Sequence, residues 1–379
     1  MTLKRTPLFA AHQKLGARLV EFGGWEMPVQ YTSIMDEHQA VRTAAGLFDI
    51  SHMGEVWVIG AEAVNFLNAT LTNNAAKLAP GQAQYSLLCN ERGGVVDDLY
   101  LYCVGKETFL LIINASRIEA DMECLRARHA AFARCEGVLV TNVSSEYGAV
   151  ALQGPRVAEF IDQCFTGNGT INAARPAHLK KNELDIFNFG GRDVFVARTG
   201  YTGEDGFEIV TSEDTIEAVW DRVLEIGRPF GIKPTGLGAR DTLRTEACLP
   251  LYGHELDENT TPIEAGLGFF VALDKGDFTG RALLADQKAM GVARKCVAFK
   301  MTDKSAPPRP HYPIWSTGPD AKKIGEAASG TQSPSLSIGI GLGYVPTEFS
   351  QPDTLIEIEI RGRRSPAVVV RKPIYKKTT

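Results

Sequence analysis

A change of texture near residue 280 constrains this chain more than any other feature. Before it, strand-like and helix-like stretches alternate; after it, short strands separated by turn formers dominate. Upstream, residues 55–59, 99–104 and 109–113 are short, rich in β-branched or aromatic residues, and bounded by turn formers, which predicts strands. Helices are predicted over 62–71 and 117–132. The second carries Ile118, Met122, Leu125 and His129 at helical spacing, with Ser116 as its N-cap. Strands at 138–143 and 149–152 and a helix over 155–164 follow, Pro155 being tolerated in a first helical turn. Strands at 193–197 and 207–210 bracket a Gly-rich turn. Ser212 is expected to cap an amphipathic helix carrying Ile216, Val219, Trp220, Val223 and Leu224, and a further helix is expected over 238–248. This alternation predicts an α+β assembly. Beyond a short helix at 281–287, strands at 295–301, 312–315, 323–328, 341–345, 354–360 and 367–371 predict a small barrel or sandwich. A length of 379 residues exceeds one compact core. The expected division is therefore 1–280, as two interleaved α+β domains, and 281–379.

Charge and cysteine usage narrow the function classes. A net charge of -5 argues against a nucleic-acid binder, which needs cations to displace phosphate counterions. Against that balance, residues 361–379 hold seven Lys or Arg (Arg361, Arg363, Arg364, Arg371, Lys372, Lys376, Lys377) and no acid. This stretch reads first as a solvated edge strand and tail, and second as a docking surface for an acidic partner or an anionic substrate tail. The seven cysteines are scattered and never spaced as CxxC, which fits free thiols in a reducing compartment and no zinc site. The first residues lack an apolar signal core, and no run of about 18 apolar residues occurs. A cytoplasmic protein without a membrane span is expected.

Four segments carry chemistry. In Asn90-Glu-Arg-Gly-Gly-Val-Val-Asp-Asp-Leu99, a Gly-Gly turn delivers two adjacent carboxylates to the start of an apolar strand. Strand neighbours point to opposite faces, so Asp97 and Asp98 should not share a task. On the residues alone, the pair reads first as turn caps facing water. In Arg198-Thr-Gly-Tyr-Thr-Gly-Glu-Asp-Gly-Phe-Glu208, the glycines permit close backbone approach to a ligand, or simply a hairpin turn. No Walker lysine or dinucleotide fingerprint accompanies them. Gly236-Leu-Gly-Ala-Arg-Asp-Thr-Leu-Arg-Thr-Glu246 places Arg240 and Arg244 on one helical face, where either could pair with an acid or a ligand carboxylate, a surface ion pair being the ordinary outcome. His52, in Phe48-Asp-Ile-Ser-His-Met53, reads as a hydrogen-bonded structural residue.

Together these segments resemble the glycine cleavage T-protein family. Matching stretches include Thr6-Pro-Leu8, Ser51-His52-Met53, Gly93-Gly94 with Asp97-Asp98-Leu99, and Leu152-Gln153-Gly154-Pro155. They continue through Gly200-Tyr-Thr-Gly-Glu-Asp-Gly206 with Glu208, Ala239-Arg240-Asp241, Leu251-Tyr252-Gly253, Ser333-Pro334-Ser335 and Gly343-Tyr344-Val345-Pro346.

The resemblance implies a multidomain cloverleaf around a central folate site, with a C-terminal β-barrel. It also implies transfer of a one-carbon unit to tetrahydrofolate from the aminomethyl-lipoyl arm of a lipoylated H protein, giving methylene-tetrahydrofolate and ammonia. By motif, Asp98 is the carboxylate beside the reacting folate nitrogens, Glu208 holds the pterin ring, and Arg240 contacts the folate. Tyr85, Tyr100, Asn114 and Tyr201 are candidates for the cavity lining, and no metal is implied. Ammonia must leave, a methylene-iminium-like cation must form, and a folate nitrogen must attack and lose a proton. A fixed carboxylate assists each of these, a contribution of about 10²–10⁴-fold. Phe269 stands where some relatives have Trp, which keeps stacking area and loses the indole donor. Two alternatives share folate contacts: a tetrahydrofolate-dependent demethylase acting on a small methylated donor, and a non-catalytic folate-binding assembly protein. The latter carries a Lys-Gly-Cys-Tyr-type motif, whereas this chain has Lys275-Gly-Asp-Phe-Thr-Gly280.

Overall fold

The computed structural model describes residues 2–376, which divide into two units. The first takes the described residues up to Leu88, Asp97–Arg240 and Lys275–Phe278; the second takes Cys89–Val96, Asp241–Asp274 and the described residues from Thr279.

Two sheets dominate the first unit. The six-stranded sheet runs, in spatial order, Leu184–Phe189, Arg192–Ala197, Gly206–Ser212, Tyr147–Gln153, Ala45–Asp49 and Ile232–Pro234. The helix Ile216–Gly227 covers it by burying Ile216, Val219, Trp220 and Val223, the apolar stripe its sequence spacing predicts. The five-stranded sheet orders Gln82–Cys89, Val95–Gly105, Thr108–Ile113, Gly54–Ile59 and Leu139–Asn142. Its tyrosine-bearing face packs toward the six-stranded sheet, Tyr102 and Leu110 meeting Leu184 and Ala197. A hairpin of Arg18–Phe22 and Trp25–Gln30 completes the strands of this unit.

The second unit holds a closed barrel ordered Arg294–Met301, Gly339–Pro346, Lys323–Gln332, Pro313–Ser316, Leu355–Ile360 and Arg363–Val370. Alternation fills it: Ile356, Ile358 and Ile360 are buried while their neighbours are not. The protein is thus a mixed helix-and-sheet chain ending in a six-stranded barrel.

Several local expectations are corrected. Residues 155–164 form no α-helix; they make two short 3-10 turns, Val157–Glu159 and Ile161–Gln163. Val157, Phe160 and Ile161 are all fully buried, and the i→i+3 bonds Phe160 N to Val157 O and Cys164 N to Ile161 O suit that tighter spacing. Ser116 lies inside the 3-10 turn Ala115–Arg117, so it does not cap the helix Ile118–Ala131. Ser212 ends a strand, and its hydroxyl donates to Asp214 and Thr215, leaving the next helix without a side-chain cap. The basic stretch is no edge strand, because Arg363–Val370 is paired on both sides within the barrel. Lys377 lies outside the described residues.

Candidate active site

The pairing of Val95–Gly105 with Thr108–Ile113 sets Tyr100 opposite Ile112, and alternation separates the two aspartates. Asp97 is fully buried and points toward the helix Ile118–Ala131, where it meets Asp121. Asp98 faces the tyrosine-bearing side and retains some solvent access. Neither is a turn cap facing water. Of the two turn glycines only the first, Gly93, takes a positive φ, at 71°. Gly94 is needed for close approach, since a Cβ there would collide with the carbonyl of Glu258.

Asp98 accepts hydrogen bonds from the Tyr85 hydroxyl at 2.9 Å and from Asn114 Nδ2 at 3.0 Å. Burial, and then the charge of Asp97, push its carboxyl up to about 7, with Tyr85 and Asn114 opposing. A carboxyl at that value exchanges protons at neutral pH, which suits a general acid–base group. Burial and the Asp98 charge hold the Tyr85 hydroxyl well above its usual range, so it stays a donor.

Tyrosines lead away from Asp98. Tyr85 meets Tyr100 edge-on with ring centroids 6.1 Å apart, and Tyr100 lies 5.8 Å from Tyr102. The Tyr102 hydroxyl donates to Glu208 Oε2 at 3.3 Å, and Thr199 Oγ1 donates to the same oxygen at 2.6 Å. Tyr100 donates to Asn182 Oδ1 at 3.1 Å. Arg240 stacks on Tyr201, its Cζ 4.7 Å from the ring centroid, and sits in the electrostatic field of Glu208. Its Nη1 is buried without an acceptor, a donor aimed at something the protein does not itself supply. Asp98, Glu208, Arg240, Tyr85, Tyr100, Asn114 and Tyr201 all belong to the first unit and form one linked array.

Not every sequence expectation survives. Arg244 is no surface ion-pair partner: it is 2 % exposed in the second unit, bound to Glu255 at 3.0 Å, Asp241 at 2.7 Å and Ser329 at 2.8 Å. Of the loop glycines, Gly203 alone has a positive φ. Gly200 and Gly206 are glycine because a Cβ on either would overlap the buried Gln153 side chain, which binds Thr199 O and the Thr202 hydroxyl. The loop's glycines therefore serve packing and turn geometry. His52 is buried with Nδ1 unpartnered, and burial takes it down to about 4, so it is neutral. Phe269 is 90 % exposed in the second unit.

Sequence reasoning missed Tyr102, Thr199, Gln153 and Asp121. Tyr102 was detectable, because period-two alternation puts residues 98, 100 and 102 on one face. Thr199, Gln153 and Asp121 reach the site through tertiary pairing. Among the described residues no group of three or more His, Cys, Asp or Glu is arranged to hold a metal, all seven cysteines are free, and no helix is long and apolar enough to cross a membrane.

The chain is similar to known proteins along its length. Residues 8–275 match the GCVT N-terminal domain, and residues 294–376 match the glycine cleavage T-protein C-terminal barrel domain. The chain is 47% identical to an aminomethyltransferase of Bacillus cereus (strain AH187) over 385 aligned positions, covering 100% of both. It is 48% identical to an aminomethyltransferase of Geobacillus sp. (strain WCH70), covering 99% of both. Among solved structures, the glycine cleavage system aminomethyltransferase T from Bartonella henselae superposes with a TM-score of 0.88 at 34% identity, covering 98% of each chain. With matches along nearly its whole length, the chain belongs to the glycine cleavage T-protein family of aminomethyltransferases.

Proposed function

We propose that this protein transfers the one-carbon unit of an aminomethyl-lipoyl H protein to tetrahydrofolate, with Asp98 as the carboxylate at the reacting atoms. The observation that carries this is the environment of Asp98: a partly accessible carboxyl near neutrality, fixed by Tyr85 and Asn114 at the head of a tyrosine-lined face.

The residues fit the acceptor. Glu208 offers a carboxylate for the N–H groups of a pterin ring. Arg240 offers an unsatisfied planar donor beside it. In the transfer, the carbon–sulfur and carbon–nitrogen bonds of the aminomethyl arm break and two bonds to folate nitrogens form. The two folate N–H protons end on the lipoyl sulfur and the departing ammonia. Asp98 stabilises positive charge on the migrating carbon and takes a nitrogen proton as the new bond forms, while Tyr85 and Asn114 hold its oxygens in place. We place the folate-binding region at 1–280 and the barrel domain at 281–379, and assign the protein to the reducing cytoplasm, in keeping with its free thiols.

The test mixes the protein with tetrahydrofolate and aminomethyl-lipoyl H protein and follows ammonia. Release above a protein-free control is expected. Its absence, with a small methylated amine serving as donor instead, would establish a demethylase.

A further inference from the structure

Asp121 takes no direct part in the transfer of the one-carbon unit, yet it has an unusual environment. It lies in the first turns of the helix Ile118–Ala131, fully buried, and neither side-chain oxygen meets an N–H or hydroxyl donor. The group that faces it is the carboxyl of Asp97. Two ionised carboxylates are both acceptors and repel, so this contact requires a proton between them.

The position of that proton follows from the other contacts. Asp97 already receives the Asn114 backbone N–H at 3.0 Å and Asn114 Nδ2 at 2.8 Å. Burial raises the Asp97 carboxyl above its usual range, and the contacts with Asp121 and Asn114 oppose that shift, so of the two carboxyls Asp97 is the one whose surroundings favour the ionised form. Asp121 has no N–H donor, and burial followed by the Asp97 charge drives its carboxyl up to about 11 against the opposing charge of Arg117. The groups facing the pair are Asn114, Arg117, Cys124 and, across Asn114, Asp98 with Tyr85. Asn114 is the link, because the same Nδ2 that donates to Asp97 also donates to Asp98 Oδ1 and to the Asp98 carbonyl.

We propose that Asp121 is a positioning residue: protonated, it donates to Asp97, which remains the anionic acceptor that locks Asn114 against Asp98. This rests on the reading of Asp98 as the reacting-site carboxylate. It assigns Asp97 a second task, since a persistent anion there keeps Asp98 basic enough to accept a proton near neutral pH.

The test has a structural arm and a kinetic arm, both on the full chain. With carboxyl-carbon-13 aspartate, NMR titration should show one carboxyl that stays protonated from about pH 6 to about pH 9. That signal should persist in Asp98→Asn and vanish in Asp121→Asn; a wild-type spectrum without it overturns the proposal. In turnover, Asp121→Asn should stay within about threefold of wild type, because the amide N–H replaces the lost carboxyl donor. Asp121→Leu should lower kcat about tenfold to a hundredfold with tetrahydrofolate affinity unchanged. Asp97→Asn should move the acid limb of the kcat profile to lower pH by removing the anion beside Asp98. Equal kcat in Asp121→Leu and Asp121→Asn, or an unmoved limb in Asp97→Asn, overturns it. If Asp121→Leu does not fold, the Asp121→Asn signal and the Asp97→Asn limb still decide. A wild-type protein that releases no ammonia refutes the transferase reading instead, and the NMR arm remains able to refute the shared proton.

Discussion

Asp98→Asn should inactivate the enzyme and stabilise the fold, and the two effects share one cause. Asparagine keeps the size of the side chain, an oxygen for Asn114 Nδ2 and an amide N–H that the Tyr85 hydroxyl can accept in place of donating, but it can neither take a proton nor balance a developing cation. Removing such a group lowers kcat by about 10²–10⁴-fold. The stability change comes from linkage. The Asp98 carboxyl moves from 3.8 to about 7 on folding, so the native state binds its proton more tightly than the unfolded chain. That contribution is fully present below the unfolded value of 3.8 and is lost as pH rises toward about 7. Above pH 7 the ionised wild-type carboxylate carries a burial penalty of about 4 kcal/mol at full displacement, or about 2–4 kcal/mol given its residual solvent access. Asp98→Asn has no such penalty. Urea unfolding at pH 5 and pH 8 should therefore show the variant gaining on wild type as pH rises, while ammonia release disappears. A variant less stable than wild type at pH 8, or one keeping more than about a tenth of kcat, would refute the account of Asp98 as a buried, ionisable reaction-site carboxylate.

Three further outcomes follow from the contacts. Arg240→Ala should weaken tetrahydrofolate binding about tenfold to a hundredfold by calorimetry, with only a small fall in melting temperature from the lost stack on Tyr201, because it removes an Nη1 donor that has no acceptor within the protein; unaltered affinity would remove Arg240 from the folate site. Arg244→Ala should destabilise the protein by about 3–5 kcal/mol in urea, since it strands the buried Glu255 carboxylate; a loss below about 1 kcal/mol would mean the pair is no more than a surface contact. Gly206→Ala should cost about 1–3 kcal/mol by forcing Gln153 aside and crowding the Leu152 carbonyl, and an unchanged urea midpoint would show that both give way freely.

Local pattern was enough to locate most elements of this protein. Short runs rich in β-branched or aromatic residues, whose side chains alternate across a strand, marked the strands containing Val56, Leu101 and Ile358, and the stripe of Ile216, Val219, Trp220 and Val223 marked a helix. The same alternation separated Asp97 from Asp98, because successive strand residues must face opposite ways. It stated nothing about what each face would meet. Whether the carboxylates faced water or a protein interior depended on the helix packed over one face and the sheet packed over the other. Only tertiary structure brought Asp121 beneath Asp97, Thr199 onto Glu208, and Gln153 against the glycines of the 199–206 loop. It likewise took Arg244 from an expected surface pair into a buried network. The physical reason is range: backbone periodicity is set by neighbouring residues, whereas burial, proton affinity and hydrogen-bond partnership are set by groups distant in the chain.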